Sequence, residues 1–237
     1  MIGFRNRRGG GVARPISMRA APFRTVMENC TYIVLGNPLK HLIVVAHPLP
    51  DSVTMKLARS YALELEVLGH EWVMHDLYRL GFDPVLGFNE LEPMAESPAD
   101  VRAAQAAVTE CGALTVIYPL WWASMPAILK GYVNRVFARG FAYEGQGGAT
   151  RGLLRGRSCV LVTLSGSPLT LLHDNGEWRA IRILQDLHIF RSSGFTILEH
   201  LHFDLIEPPT PHGALAEYIE RARDCARRHF GDTRSVT

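Results

Sequence analysis

The feature that most constrains this chain is a rhythm of short apolar runs, each separated from the next by a stretch of helical periodicity. His41–Ala46 (HLIVVA), Trp72–Leu77, Ala113–Tyr118 (ALTVIY), Ser158–Leu164 (SCVLVTL) and Phe195–Phe203 read as five strands. Between and after them the pattern predicts helices. One runs from Val53 to Leu68, capped by Asp51-Ser52 and ended by Gly69. Others run from Pro98 to Cys111, Pro126 to Ala138, Glu177 to Ser192 and Pro211 to Phe230. Residues 80–97 and 139–156, rich in Gly, Pro or Asn, read as loops.

Strands that alternate with helices imply a parallel sheet with right-handed crossovers. Runs that barely alternate between apolar and polar fit strands covered on both faces. The expected fold is therefore α/β: a flavodoxin-like, doubly wound, five-stranded parallel sheet of order 2-1-3-4-5. Such a sheet binds ligands beyond the carboxyl ends of its strands, at the switch between strands 1 and 3. The residues that follow strands 1, 3 and 4 are the ones to inspect.

Charge separates the chain into unequal parts. Residues 1–27 hold six arginines and no acid, while the remainder holds 19 basic and 23 acidic residues. We read 1–39 as a basic, disordered extension, 40–232 as one domain and 233–237 as a tail. No basic stripe interleaves with aromatics in the body, which argues against nucleic acid. The longest apolar stretch, Ala113 to Leu129, is broken by Pro119 and Pro126, so no membrane span is expected. Cys30, Cys111, Cys159 and Cys225 have no metal-ligand spacing; reduced thiols and a cytoplasmic location follow, with no metal.

The first strand-end loop, His47 to Thr54, leads directly into a helix. Free amides and the helix dipole make such a corner an anion site, and Ser52 and Thr54 add hydroxyls. The second loop, Pro119-Leu-Trp-Trp-Ala-Ser-Met-Pro126, offers two tryptophans to a flat ligand. If the segment is extended, one of Trp121 and Trp122 faces the core, because successive side chains alternate. The third loop, Thr163-Leu-Ser-Gly-Ser-Pro168, has small residues that let a ligand approach the backbone. Neither G-x-G-x-x-G after a strand nor G-x-x-x-x-G-K-[ST] occurs, so any bound phosphate belongs to neither nucleotide system. His200, His202 and Asp204 share one face of the last strand. They read as a polar outer face near a dimer contact rather than as a metal site.

The run Tyr118-Pro-Leu-Trp-Trp-Ala-Ser-Met-Pro-Ala-Ile-Leu-Lys-Gly-Tyr-Val-Asn-Arg-Val-Phe137, continued by Gly140-Phe-Ala-Tyr143, resembles the NAD(P)H:quinone oxidoreductase (DT-diaphorase-like) family. The resemblance extends from about His41 to Phe230. It implies a flavin, FMN or FAD, with NAD(P)H as co-substrate and a quinone-like acceptor. It also implies a homodimer with the active site across a two-fold interface. By that resemblance His47, Ser52, Val53 and Thr54 hold the flavin phosphate. Pro119, Leu120, Trp121, Trp122 and Ala123 line the isoalloxazine. Thr163, Leu164, Ser165 and Gly166 form the turn that meets its pyrimidine edge. Tyr143 matches a pocket tyrosine, and His173 is the nearest histidine for an acid role. Ala123 stands where the animal enzymes have an aromatic, and the family's T-T-G-G turn is T-L-S-G here.

The implied reaction is a ping-pong transfer of hydride from NAD(P)H to the flavin and then to the quinone. The amides of Ser165 and Gly166 are expected to stabilise the charge that develops. Two other roles stay open: a flavin-binding regulatory subunit of a potassium efflux system, and a one-electron flavodoxin-type carrier.

Overall fold

A computed structural model of the protein describes residues 38–91, 96–146, 149–206 and 212–231. All but two residues of the expected N-terminal extension, and the expected C-terminal tail, lie outside the described residues. At the centre stand β1 (Lys40–Val45), β2 (Glu71–Asp76), β3 (Ala113–Pro119), β6 (Ser158–Leu164) and β7 (Thr196–Phe203). They form one sheet in the order β2-β1-β3-β6-β7, and every neighbouring pair is parallel. This is the expected order, renumbered by an extra hairpin.

Covering both faces explains why the central runs lack alternation. Ile43 and Val45 of β1 pack with Leu57, Tyr61 and Leu65 of α1 (Val53–Val67) and with Ala222 and Cys225 of α6 (His212–Phe230). Leu42 and Val44 point the other way. They pack with Val108 of α2 (Ala99–Glu110), Leu129 of α3 (Ala127–Val136) and Phe190 of a π-helical stretch, Ile183–Arg191. Each fully buried Leu or Val here contributes about 1.5–3 kcal/mol relative to exposure.

The expected loop over 139–156 is corrected. It contains an antiparallel hairpin, β4 (Tyr143–Gln146) with β5 (Ala149–Gly152), held across the strands by a Glu144–Arg151 ion pair. Its glycine-rich composition hid two strands of only four residues. The expected helix from Glu177 to Ser192 is observed as α5 (Glu177–Arg182) running into the π-helical stretch. A short α4 (Leu169–Asp174), missed in the sequence, precedes it.

The long motif on α3 is explained by packing. A Cβ on Gly131 would lie 2.3 Å from the carbonyl oxygen of Pro84, so only glycine lets the 80–91 segment close on the helix. The Arg135 guanidinium, almost fully buried, bonds both carboxylate oxygens of Glu90 at 3.0 Å, Asp100 at 2.8 Å and the Asp83 carbonyl at 2.6 Å. Among the described residues no helix is long and apolar enough to cross a membrane.

Candidate functional site

Strands β1, β3 and β6 are adjacent, so the loops at their carboxyl ends share one edge of the sheet. The first begins at His47, whose Nδ1 accepts the Leu49 amide at 3.1 Å. Burial pushes the His47 pKa below its ordinary value, against the opposing Leu49 hydrogen bond and with the charge of Arg79 adding to it. Arg79 donates to the carbonyls of His47 (2.6 Å) and Pro48 (3.0 Å) and braces the loop from below. Sequence reasoning missed it, although its position just past β2 is a strand end. Ser52 caps α1 by accepting from Met55 at 3.3 Å. The amides of Val53 and Thr54 open the helix, where no intrahelical acceptor exists. Asp51 does not compete there: its exposed carboxylate points toward Arg59, 3.9 Å away.

The second loop corrects the expectation for the tryptophans. Trp121 and Ser124 pair with each other, and Trp122 and Ala123 both have positive φ, 53° and 54°. This is a tight turn of the I′ kind, so the alternation of an extended segment does not apply. Neither tryptophan faces the core: Trp122 is fully exposed and Trp121 is 41 % exposed, its ring 6.0 Å from that of His47. Pro119 is buried as the last residue of β3, and the Leu120 amide donates to Leu164 at 2.7 Å.

In the third loop the Ser165 amide donates to Phe203 at 2.9 Å. This corrects the expectation that it is available to a ligand. Among the described residues the amides of Gly166 and Ser167 have no hydrogen-bond partner, and a Cβ on Gly166 would meet nothing nearer than 3.8 Å. The Asp204 carboxylate fixes the loop's exit by accepting from Leu169 at 2.8 Å. An anion corner, a flat aromatic turn and two free amides on one edge suit a phosphorylated, planar heterocycle. A flavin mononucleotide moiety has both parts, so these residues fit that group.

The two remaining predicted residues lie outside the three loops, on α4 and β4. His173 is exposed on α4, its ring 6.2 Å from that of Trp178. Tyr143 lines a cavity of about 350 Å³ with Asn134, Phe137, Thr150, His188 and Ser193. It sits between the end of α3 and the start of β6, toward the amino ends of the strands.

The β7 histidines are not an outer polar face. Thr163 Oγ1 stands 2.9 Å from His200 Nε2 and 2.8 Å from His202 Nδ1, and His202 Nε2 stands 3.0 Å from Ser165 Oγ. His200 Nδ1 meets Asp186 at 2.7 Å, and Trp178 packs against both imidazoles in a tilted arrangement, its ring 4.8 and 4.9 Å from theirs. Burial, then the neighbouring His200, pushes the His202 pKa down to about 4. Burial raises the Asp186 pKa, but the bonds and charges of His200 and Arg182 outweigh it and leave the carboxyl below its ordinary value. The signal in the sequence was the three polar residues on one strand face; nothing there revealed the helix that covers them.

The flavodoxin-like fold family matches residues 39–225, and the chain belongs to it. An uncharacterised NAD(P)H oxidoreductase of Haemophilus influenzae is 31% identical over 173 residues, which is 70% of this chain and 83% of that protein. An NAD(P)H:quinone oxidoreductase from Methanothermobacter marburgensis has a similar structure, with a TM-score of 0.73, 25% identity and coverage of 81% and 96%. An FMN-dependent NADH-azoreductase from Bacillus anthracis, solved with FMN, shares the fold at 16% identity, with a TM-score of 0.64 and coverage of 81% and 100%. Within the flavodoxin-like class the chain is thus a member of the NAD(P)H:quinone oxidoreductase family.

Proposed function

We propose that the protein binds one flavin per chain, FMN or FAD, and reduces quinone-like acceptors with NAD(P)H by two-electron, ping-pong transfer. The observation that carries this reading is the exposed Trp121–Ser124 turn, flanked on the same sheet edge by the free amides of α1 and of Gly166-Ser167. When bound, the flavin supplies the redox chemistry, taking hydride and releasing it as two electrons and a proton. The chain's part is to hold and polarise it. Val53, Thr54, Ser52 and His47 receive the phosphate, with Arg79 adding positive charge beneath. Trp121, Trp122 and Ala123 border the ring, next to Pro119 and Leu120. Gly166 and Ser167 donate to its polar edge, beside Thr163, Leu164 and Ser165. The overall balance is NAD(P)H plus quinone plus one proton, giving NAD(P)⁺ and hydroquinone.

The protein acts as a cytoplasmic homodimer. Ile183, Leu184 and Leu187 expose apolar surface beside Trp178, which suits a second copy. Tyr143, outside its own chain's three loops, serves a partner's site in this reading, and His173 takes the acid role. Steady-state kinetics with both substrates varied tests the proposal. Parallel double-reciprocal lines are expected, and intersecting lines would overturn the shared-site order.

A further inference from the structure

Below the Ser165 turn lies a continuous hydrogen-bonded chain: Asp186, His200, Thr163, His202, Ser165 and the Ser167 carbonyl, every link between 2.7 and 3.0 Å. Register and helix type build it. Tyr118, Thr163 and His202 stand side by side across β3, β6 and β7, and His200 lies two residues back on the same face. The π-helical stretch turns two consecutive residues inward, so Gln185 reaches the Tyr118 hydroxyl while Asp186 reaches His200. The far end opens on a cleft of about 370 Å³ lined by Asp186, Arg182, Arg179, His173 and Trp178.

Proton counting along this chain gives two states. Each hydroxyl has one proton, and neutral His202 has one to share between two nitrogens. If Ser165 donates to the Ser167 carbonyl, His202 Nε2 must donate to Ser165 and His202 Nδ1 must accept from Thr163. Thr163 must then accept from His200 Nε2, which leaves the Asp186–His200 pair with an extra proton. If the pair lacks that proton, every donor between His200 and Ser165 reverses and the Ser165 bond to the Ser167 carbonyl is given up. His200 Nε2 accepts from Thr163, His202 Nδ1 donates to Thr163, and Ser165 turns its hydroxyl proton to His202 Nε2. The two states differ by one proton, which enters or leaves at the cleft end.

We propose that this chain is a proton-controlled polarity switch: protonation of the Asp186–His200 pair sets whether the Ser165 hydroxyl proton points out to the turn, where a ligand competes for it with the Ser167 carbonyl, or back to His202, which leaves a ligand only lone pairs. The use made of it rests on the flavin reading above. An electron-rich ring edge at the turn favours the donor form and so draws one proton into the pair from the cleft. Asp186, Thr163, His200 and His202 are positioning residues that act through Ser165. The other groups facing the chain are Arg182 on the pair's own helix, Tyr118 on β3 and Cys159 on β6. Asp204 on β7 and Arg221 on α6 face His202. Tyr118 and Cys159 are held protonated by burial, so neither titrates with the pair.

The direct test is a pH titration of the imidazole ¹⁵N signals in the flavin-free protein. His202 is expected to carry its proton on Nε2 at low pH and to change to Nδ1 in the same step in which His200 loses its proton. Thr163→Val should uncouple them, with His200 titrating alone, and Thr163→Ser should restore the coupling. A His202 tautomer unchanged through the His200 step in the wild type would overturn the proposal, whatever the variants do. With FMN as probe, the dissociation constant should be about two- to tenfold lower below the step than above it, the worth of one hydrogen bond. That break should vanish in Ser165→Ala. A coupled tautomer change with no break in FMN affinity would overturn the ligand-facing half of the proposal. Absence of any FMN or FAD binding would instead overturn the flavin reading, with the NMR result still deciding the switch.

Discussion

Trp121 and Ser124 exchange two backbone hydrogen bonds, 3.0 and 3.1 Å long, across a turn whose central residues both have positive φ. Neither central residue is a glycine, and a left-handed conformation costs an L-residue roughly 1–2 kcal/mol. Ala123→Gly should therefore stabilise the protein by about 1 kcal/mol and raise Tm by about 2–4 °C. Calorimetry checks this; an unchanged or lower Tm would mean that the turn carries no such strain.

The same turn predicts that the two properties of Trp122 separate. Its side chain is fully exposed, so Trp122→Ala should leave Tm essentially unchanged. Flavin affinity and turnover with NAD(P)H and a quinone should fall, by about tenfold in affinity for the loss of one stacking aromatic. Flavin fluorescence titration on a protein of unchanged Tm makes the distinction.

Gly131→Ala should reverse the usual helix rule. In an exposed helix the exchange gains about 1 kcal/mol. Here the new methyl would meet the backbone of Pro84 at 2.3–2.4 Å. Overpacking of that kind costs about 1–3 kcal/mol, so denaturant titration should show a net loss. Arg135→Met should cost more, about 3–5 kcal/mol, because it strands the largely buried Glu90 without its cation.

Acid should destabilise the fold through buried neutral histidines. Burial, with the nearby charge of His70, lowers the His41 pKa to about 3, and burial alone lowers that of His75 to about 4. Among the described residues both nitrogens of His41 lack a partner. Between the ordinary value of 6.5 and these lowered values the unfolded chain binds more protons than the folded one. Stability therefore falls as pH drops through that window, by on the order of a few kcal/mol per site at its lower end. His41→Phe should flatten the loss, which unfolding curves at pH 7, 6 and 5 would reveal.

The fold was legible because both faces of the central strands are covered: HLIVVA, ALTVIY and SCVLVTL have no polar face to show. The strand-end loops were legible because topology alone puts them on one edge. What stayed hidden depended on contacts across the chain. The Trp121–Ser124 turn carries no Asn-Gly signature, so its left-handed residues could not be read. The role of Arg135 rests on Glu90 and Asp100, distant in sequence. His200 and His202 looked like an outer face because the covering Trp178 and Asp186 come from a different element.

The central claim is that the sheet edge formed by the His47–Thr54, Trp121–Ser124 and Thr163–Pro168 loops holds a flavin. Spectroscopy of the purified protein tests this most directly, with FMN and FAD titrated into any flavin-free fraction. The account predicts a yellow protein that binds one flavin per chain and is bleached by NAD(P)H, with colour returning when a quinone is added. A colourless protein that takes up neither FMN nor FAD would contradict it.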